Sequence, residues 1–309
     1  MRLQPLTRAK VASLGDEGAA WTERLPDLVA ALEQRWSVTV LGPLPGGSES
    51  YVARARTADG DDRVIKLGIP RNDLTAEAAV LAAAHGRGYA VLHAHDDAAN
   101  ALMIELLGTS LHRLGWSPER TLGVLADTLA EAWRVPLATA PEVTAGVDDK
   151  ATLLHRMVVE LWERLDRPCP ARVVDQALRY ADRRAAGFHP DHCVVVHGDP
   201  HPGNTLRVTA PRAGAGSGFV LVDPDGFRCD PAYDLGVVVR DWVDRVVAPG
   251  GRGELEGYCA LLAGRTGVEA QDIWEWGYLE RVSTGLYVLG FGAERIGRGF
   301  LESAERLVG

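Results

Sequence analysis

The chain has 309 residues, of which 46% are hydrophobic and 24% charged, and its formal net charge is −9. These values are typical of a globular protein with room for two lobes, and the acidic balance excludes a general nucleic-acid binder, which needs a basic face. The four cysteines form no CxxC pair, which argues against a zinc site or a disulfide framework. No signal peptide and no run of ~18 apolar residues is evident. We therefore expect a cytoplasmic protein with no membrane, nucleic-acid or obligate protein partner.

The first third of the chain predicts a helical segment followed by a small sheet. Apolar residues repeat with helical spacing over residues 16–36, and Pro26, which removes a backbone donor, is expected to divide this segment into two short helices. Apolar runs and turn signals then predict three strands, one helix and two strands. These elements lie at residues 36–42, 50–56, 62–68, 72–86, 89–95 and 101–108.

The rest of the chain is mostly helical, apart from apolar runs of strand length within residues 192–223. A small sheet followed by a larger helical part predicts an α+β fold of two lobes. The N-terminal lobe covers residues 1–107, with a helical extension at 1–35, and the C-terminal lobe covers 108–309. The helices predicted in the second lobe lie at about residues 117–134, 150–166, 171–186, 232–246, 252–265 and 269–296.

Lys66 and Glu77 are candidates for an ion pair. Lys66 shares one face of the third strand with Val64, and on its own it could simply point to solvent. Glu77 lies in a helical stripe between Leu74 and Leu81, and an inward carboxylate is costly unless it is paired. Together they favour a Lys–Glu pair at a cleft, the arrangement that positions nucleotide phosphates in kinases.

The loop GPLPGGSES, between the first two strands, gives a weaker signal. Gly46 and Gly47 can adopt backbone angles that other residues avoid. Their amides, with the hydroxyl of Ser48, could bind phosphate oxygens. The loop matches neither GxGxxG nor a Walker loop, so a plain hairpin turn explains it equally well.

The sequence VVVHGDPHPGNTLRV carries the strongest signal. Phosphoryl transfer needs a carboxylate to orient the attacking hydroxyl and accept its proton, and oxygen ligands for Mg²⁺. Asp199 and Asn204 have the spacing of such a pair, and Asp223 follows a second apolar run. His197 is expected to brace the loop, and Asp234, in DPAYDL, is expected to anchor it through backbone amides.

With these residues in place, the chain resembles the aminoglycoside phosphotransferases and related antibiotic kinases, whose fold is similar to that of protein kinases. Within that family it is most similar to the streptomycin 6-phosphotransferase and hydroxyurea-kinase branch. The resemblance implies a two-lobed, protein-kinase-like fold and an ATP-dependent O-phosphotransferase that gives resistance by modifying a hydroxyl of a small cationic antibiotic. The motifs that carry it are HGDxxxxN at 197–204, Asp223, DPAYDL at 230–235, Lys66 and Glu77, with MIELLGTSL, VDPDG and ERVSTGLYVL for the branch.

The resemblance also implies a role for each motif residue. Asp199 would be the catalytic base, and Asn204 and Asp223 would hold Mg²⁺. Lys66 would contact the α- and β-phosphates of ATP, or of GTP, and Glu77 would hold Lys66 in place. The backbone of Glu105, Leu106 and Leu107 would meet the purine edge.

Two departures from the family and the acceptor site leave questions open. The glycine loop differs from the protein-kinase pattern, so its phosphate contacts are not fixed by the resemblance. Asp225 is a second acid that could coordinate the metal together with Asp223 or in its place. A cationic acceptor would be bound by carboxylates, for which Asp225, Asp241 and Glu275 are candidates. His201 is a further candidate contact of the acceptor. The alternatives are a metabolic small-molecule kinase with a sugar, amino alcohol or nucleoside acceptor, and a non-catalytic nucleotide-binding regulator.

Overall fold

The computed structural model describes residues 3–45, 47 and 49–308. Helix α1 (Pro5–Ser13) precedes helix α2 (Gly15–Trp36). Pro26 lies inside α2, so the prediction of two short helices was wrong. The helix continues because the buried stripe of Leu25, Val29 and Leu32 packs against the sheet, and this burial offsets the loss of one backbone hydrogen bond.

The N-terminal sheet has five antiparallel strands in the order β1-β2-β3-β5-β4. Ser37, with a left-handed φ of 52°, ends α2, so the first strand begins at residue 38 rather than 36. The fourth strand begins at 92 rather than 89, because Tyr89 bridges Leu221 instead. The bounds are β1 (Val38–Pro43), β2 (Ser50–Thr57), β3 (Asp62–Gly68), α3 (Thr75–Ala84), β4 (Leu92–Asp96) and β5 (Ala101–Glu105).

The remainder consists of helices and connecting loops, with two short antiparallel ladders of two strands each, β6 with β9 and β7 with β8. The segment predicted as one helix at 232–246 is broken at Asp241 and Trp242. The segment at 269–296 is broken at Phe291–Ala293, where Gly292 has a φ of 78°. The bounds are α4 (Pro118–Ala132), α5 (Lys150–Arg164), α6 (Ala171–Ala186), β6 (Val194–Val196), β7 (Thr205–Arg207), β8 (Phe219–Leu221), β9 (Phe227–Cys229), α7 (Ala232–Arg240), α8 (Val243–Val247), α9 (Gly251–Thr266), α10 (Ala270–Gly290) and α11 (Glu294–Leu307).

Two hydrophobic clusters use opposite faces of the sheet. Ile65 and Leu67 of β3 pack in the cluster that includes α2. Val64 belongs to the larger cluster, which runs from α3 into the helices of the C-terminal part. Because strand residues alternate in direction, Lys66 shares the face of Val64 and points towards α3 and the helical part. The division into domains at residue 107 stays a prediction. None of the described helices combines the length and hydropathy needed to cross a bilayer.

Candidate active site

A cleft of about 520 Å³ lies where the N-terminal sheet and α3 face the loops that follow β6 and β8. It brings together side chains from positions far apart in the sequence, which is the arrangement expected of a site rather than of a turn. Most of the residues that the sequence marked as functional line it. They are Gly47, Lys66, Glu77, Asp199, His201, Asn204, Asp223 and Asp225. Gly46 and Ser48 lie outside the described residues.

Lys66 links the two sides of the cleft. Its ammonium donates to Glu77 Oε2 of α3 at 2.5 Å and to Asp223 Oδ1 of the loop after β8 at 2.5 Å. Lys66 and Glu77 are buried, with 7% and 4% of their surface exposed. A buried ammonium between two carboxylates stays charged, so it is a fixed positive charge at the cleft wall.

The pKa values of these three groups follow from burial opposed by charge. Burial lowers the pKa of Lys66, but Glu77 and Asp223 outweigh it, so the net shift is upward. Burial raises the pKa of Asp223, but Lys66 reverses the shift, so Asp223 stays ionised. Burial raises the pKa of Glu77 to about 7, with the charge of Lys66 opposing the rise.

The loop that carries Asp199 is anchored from below by Asp234, at the start of α7. The Asp234 carboxylate accepts hydrogen bonds from the amides of His197 and Gly198, both at 2.9 Å, and from Trp133 Nε1 at 2.8 Å. Burial raises the pKa of Asp234 to about 6, although these bonds oppose the rise. The contacts match the anchoring role expected of DPAYDL.

His197 connects this loop to the segment that carries Asp223. Its Nε2 lies 2.8 Å from the Val222 carbonyl, and its Nδ1 accepts from the Asp199 amide at 3.1 Å. The ring is fully buried, and burial lowers its pKa to about 4. A neutral imidazole with the proton on Nε2 satisfies both bonds, so His197 braces the backbone, as the sequence indicated.

Arg240, at the end of α7, is a site residue that the sequence analysis missed. Its guanidinium donates to Asp199 Oδ1 at 2.9 Å and to Asp241 Oδ1 at 2.8 Å, and it lies 3.7 Å from Glu280 Oε2. Burial raises the pKa of Asp199, but the charges of Arg240 and then His201 outweigh it and hold the pKa below its usual value. The available signal was a lone arginine ending the apolar run VVVR.

Asn204 and Asp223 are adjacent because the Val222 amide donates to the Asn204 carbonyl at 2.9 Å. Asn204 Nδ2 points to the Asp199 carbonyl at 3.3 Å, which leaves Oδ1 as an acceptor. Asp223 has a left-handed φ of 60°, a conformation that Asp adopts more readily than most other residues. One amide oxygen and one carboxylate fit a Mg²⁺ ion that also binds water and phosphate oxygens. Within the described residues, no three His, Cys, Asp or Glu side chains are grouped to bind a metal by themselves.

Glu105, which we expect at the purine edge together with Leu106 and Leu107, has its backbone amide bonded inside the protein. Its amide donates to the Val91 carbonyl at 3.0 Å, so this donor is already used inside the protein. Its carboxylate accepts from the Val91 amide and from Arg212. Leu106 and Leu107 follow the strand, and no backbone hydrogen bond of either residue is found within the part of the chain that the structure describes.

The candidate acceptor contacts separate into two groups. His201 and Asp225 line the cleft, and His201 Nε2 lies 3.6 Å from Asp199 Oδ2. Asp241 reaches the site only through Arg240. Glu275 is a correction: it is buried in α10, its carboxylate faces Arg183 and Arg184, and it offers no surface to a ligand. A carboxylate in a helix that is buried on most sides is costly unless a cation within the protein pairs with it.

Comparison with known proteins gives a consistent result. Residues 35–290 match the model of a family described as aminoglycoside/hydroxyurea antibiotic resistance kinase. A streptomycin 6-kinase of Streptomyces glaucescens is 30% identical over 247 residues, which cover 79% of this chain and 76% of that protein. A hydroxyurea phosphotransferase of Kitasatospora aureofaciens is 29% identical over 232 residues, which cover 72% of this chain and 62% of that protein.

Solved structures of similar fold come from small-molecule kinases. An ethanolamine kinase of Plasmodium vivax has a TM-score of 0.60 at 13% identity and covers 87% of this chain and 81% of its own. A choline kinase of Streptococcus pneumoniae has a TM-score of 0.59 at 15% identity and covers 91% of this chain and 99% of its own. Such likenesses establish the fold, so the prediction of an α+β, protein-kinase-like architecture is confirmed.

Proposed function

The chain belongs to the aminoglycoside/hydroxyurea antibiotic resistance kinases and is a phosphotransferase, and we propose that it transfers the γ-phosphoryl group of ATP to a hydroxyl of an aminoglycoside such as streptomycin. The observation that carries this proposal is the ammonium of Lys66, held between Glu77 and Asp223 at the wall of the cleft that also contains Asp199. A fixed cation beside a carboxylate that can orient a hydroxyl is what this reaction requires.

The proposed roles divide between nucleotide and acceptor. Lys66 contacts the α- and β-phosphates, and Glu77 fixes its position. Asp199 accepts a hydrogen bond from the attacking hydroxyl and takes its proton as the hydroxyl oxygen bonds to the γ-phosphorus and the bond from that phosphorus to the bridging oxygen breaks, releasing ADP. Arg240 holds Asp199 in one orientation and keeps it ionised, because its charge lowers the Asp199 pKa.

Asn204 Oδ1 and the Asp223 carboxylate are the groups proposed to hold Mg²⁺. When bound, the ion neutralises charge on the phosphate oxygens of the nucleotide. Asp225 is a second carboxylate beside them, and its lining position is also compatible with an acceptor contact. We place Asp223 first because Lys66 already orients its carboxylate in the cleft.

For the nucleotide base, we propose the backbone of Leu106 and Leu107 as the hydrogen-bonding edge. These two residues lack internal backbone partners within the described chain, whereas the Glu105 amide has one. Gly47 lines the cleft and has a φ of 80°, and its amide is a candidate phosphate contact. Because ATP is the proposed co-substrate, we also retain a cytoplasmic location as a prediction.

A cationic acceptor fits the wall beside Asp199. Asp199 and Asp225 line the cleft, and His201 is placed where it could contact the acceptor. Ammonium or guanidinium groups of an aminoglycoside would form charge-assisted hydrogen bonds with these carboxylates. Hydroxyurea is the second candidate acceptor, because the Kitasatospora aureofaciens relative is named a hydroxyurea phosphotransferase.

The test is transfer of label from γ-³²P-ATP by the purified protein in the presence of Mg²⁺. Streptomycin, other aminoglycosides, hydroxyurea and a set of sugars and amino alcohols are offered separately, with Asp199→Ala as the matched control. We expect a labelled product with streptomycin that the control does not form. Labelling of hydroxyurea alone would select the second candidate, and labelling of a sugar or amino alcohol alone would support a metabolic kinase. No transfer despite tight ATP binding would favour a nucleotide-binding regulator.

A further inference from the structure

Three polar residues follow one another at a spacing of three: Gln4, just before helix α1, and Thr7 and Lys10 within it. This spacing places them on one face of a helix. Gln4 and Thr7 are buried, with 5% and 0% of their surface exposed, although a short terminal helix would normally point such side chains to water. All three contact the loop between β1 and β2, whose described residues are 44, 45, 47 and 49 and which we call the β1–β2 loop.

Gln4 holds the base of this loop. Its side-chain amide donates to the Leu44 carbonyl at 2.9 Å and to the Val52 carbonyl at 2.7 Å. Leu44 and Val52 also bond to each other through the Leu44 amide, at 2.9 Å. One side chain therefore spans the two strands at the point where the loop leaves the sheet.

Thr7 and Lys10 contact the loop further along. The Thr7 hydroxyl lies 3.1 Å from the Ser50 carbonyl and 3.3 Å from the Gly47 carbonyl, so one proton serves two acceptors. Lys10 pairs with Glu49 at 2.8 Å, and this half-exposed pair adds little energy. The buried bonds of Gln4 and Thr7 are therefore the main connection between α1 and the loop.

The same helix lies at the mouth of the cleft. Leu6 is 66% exposed and lines the cleft together with Gly47 and Lys66. One turn further along α1, the Lys10 ammonium lies 5.5 Å from the centre of the Phe291 ring, at the end of α10. Helix α1 thus contacts both the β1–β2 loop and the helical part of the protein.

From this geometry we propose that Gln4 and Thr7 are positioning residues for the nucleotide, which set the conformation of the β1–β2 loop from outside the cleft. The inference rests on the proposed function, because it assumes that this loop contacts the phosphates. It concerns a helix that precedes the region matched by the family. A loop held by side-chain bonds loses less conformational entropy when the nucleotide binds, so the bonds favour nucleotide affinity.

This role predicts a separation of kinetic constants. Loosening the loop weakens nucleotide binding, whereas Asp199 and the acceptor wall keep their geometry. A mutation that only destabilised the fold would lower the amount of active enzyme without raising KM for ATP. The KM for ATP is therefore the constant that distinguishes positioning from general stability.

The experiment compares Thr7→Val, which keeps the shape of the side chain but removes the hydroxyl, with Thr7→Ser, which keeps the hydroxyl. Arg8→Ala, on the exposed side of α1, is the matched control. The constants measured are kcat, KM for ATP, KM for streptomycin and Kd for ADP by calorimetry. Gln4→Met, which removes both donors at similar length, is measured in the same way.

We expect Thr7→Val to raise KM for ATP and Kd for ADP about fivefold, and Gln4→Met about tenfold, with kcat and KM for streptomycin unchanged. Thr7→Ser and Arg8→Ala should behave like the wild type. If the wild type binds ADP but Thr7→Val and Gln4→Met bind it equally well, the inference is wrong and the proposed function stands. If the wild type binds no nucleotide, both fall.

Discussion

The two loops that meet at the cleft are held in opposite ways. The catalytic loop, residues 197–204, is fixed from the protein interior. There the Asp234 carboxylate accepts hydrogen bonds from two amides of the loop, and the His197 ring bonds to the Val222 carbonyl. The β1–β2 loop is held by side-chain donors instead: Gln4, just before α1, and Thr7, within it, donate to carbonyls of the loop and of the adjoining strand β2.

The difference matches the tasks that we propose for the loops. In-line transfer depends on placing Asp199 accurately, and buried hydrogen bonds in a low-dielectric interior give that rigidity. The β1–β2 loop contacts the nucleotide rather than the attacking hydroxyl in our proposal, so its restraint should act on nucleotide affinity and not on the chemical step. We therefore expect mutations that disturb the catalytic loop to change kcat. Mutations that disturb the β1–β2 loop should change nucleotide affinity instead.

The largest effect is expected from Asp199→Asn. Loss of the carboxylate that takes the proton should lower kcat by about 10³-fold, whereas Kd for ADP should change by less than about twofold. Label transfer and calorimetry measure the two quantities, with Asp191→Asn, an exposed acid, as control. Retained turnover with lost ADP binding would contradict the assignment of Asp199.

Asp234→Asn should come next, because it replaces an acceptor of two backbone amides by a group that also donates. The buried mismatch should lower the free energy of unfolding by about 2 kcal/mol. Displacement of the catalytic loop should lower kcat by about 10²-fold with KM for ATP little changed. Urea denaturation and steady-state kinetics provide the readouts. A rise in KM for ATP as large as the fall in kcat would mean that the two loops are not independent.

Arg240→Met should have a smaller effect, about tenfold on kcat, because Asp199 remains present but loses its partner. Arg240 lowers the pKa of Asp199, so its removal should raise that pKa. Activity requires ionised Asp199, so the acid limb of the pH–rate profile should move to higher pH. Arg240→Lys, which keeps a charge, should show a smaller displacement. An unmoved acid limb in Arg240→Met would remove the electrostatic role.

His197→Gln should affect the pH dependence of stability more than turnover. The folded-state pKa of His197 is about 4, below its value of 6.5 in a model compound. The unfolded chain therefore binds the proton first, and stability is lost as pH falls from about 6.5 to about 4. Between about pH 7.5 and pH 5 the wild type should lose about 2 kcal/mol more than His197→Gln. His192→Gln, at an exposed histidine, should lose as much free energy of unfolding over this pH range as the wild type. If His197→Gln also lost the same amount, protonation of His197 would not be the cause of the pH dependence.

Short sequence patterns indicated five of the residues that line the cleft. Lys66, Glu77, Asp199, Asn204 and Asp223 each occupy a position that a short pattern can indicate, and the structure brings them to one cleft. Their roles stay proposals, but their convergence follows from the order of strands and loops.

Other features depend on contacts between distant segments and were not predictable from local patterns. Arg240 bonds a residue 41 positions earlier, and Gln4 reaches carbonyls 40 and 48 positions later. Glu275 was expected among the acceptor contacts because an acid in a helical segment can bind a cationic ligand. The same pattern describes a buried ion pair, and only the packing of α10 distinguishes the two. Helix α2 likewise continues through Pro26, because the burial of its apolar stripe depends on the distant sheet.

The central claim is that Asn204 and Asp223 hold the divalent cation beside Asp199. Crystals grown with Mn²⁺ and a non-hydrolysable ATP analogue allow the ion to be located by its anomalous scattering. The account predicts a peak about 2.1 Å from Asn204 Oδ1 and from a carboxylate oxygen of Asp223, with the γ-phosphate directed towards Asp199. A peak bound elsewhere, or a γ-phosphate on the far side of Lys66 from Asp199, would contradict it.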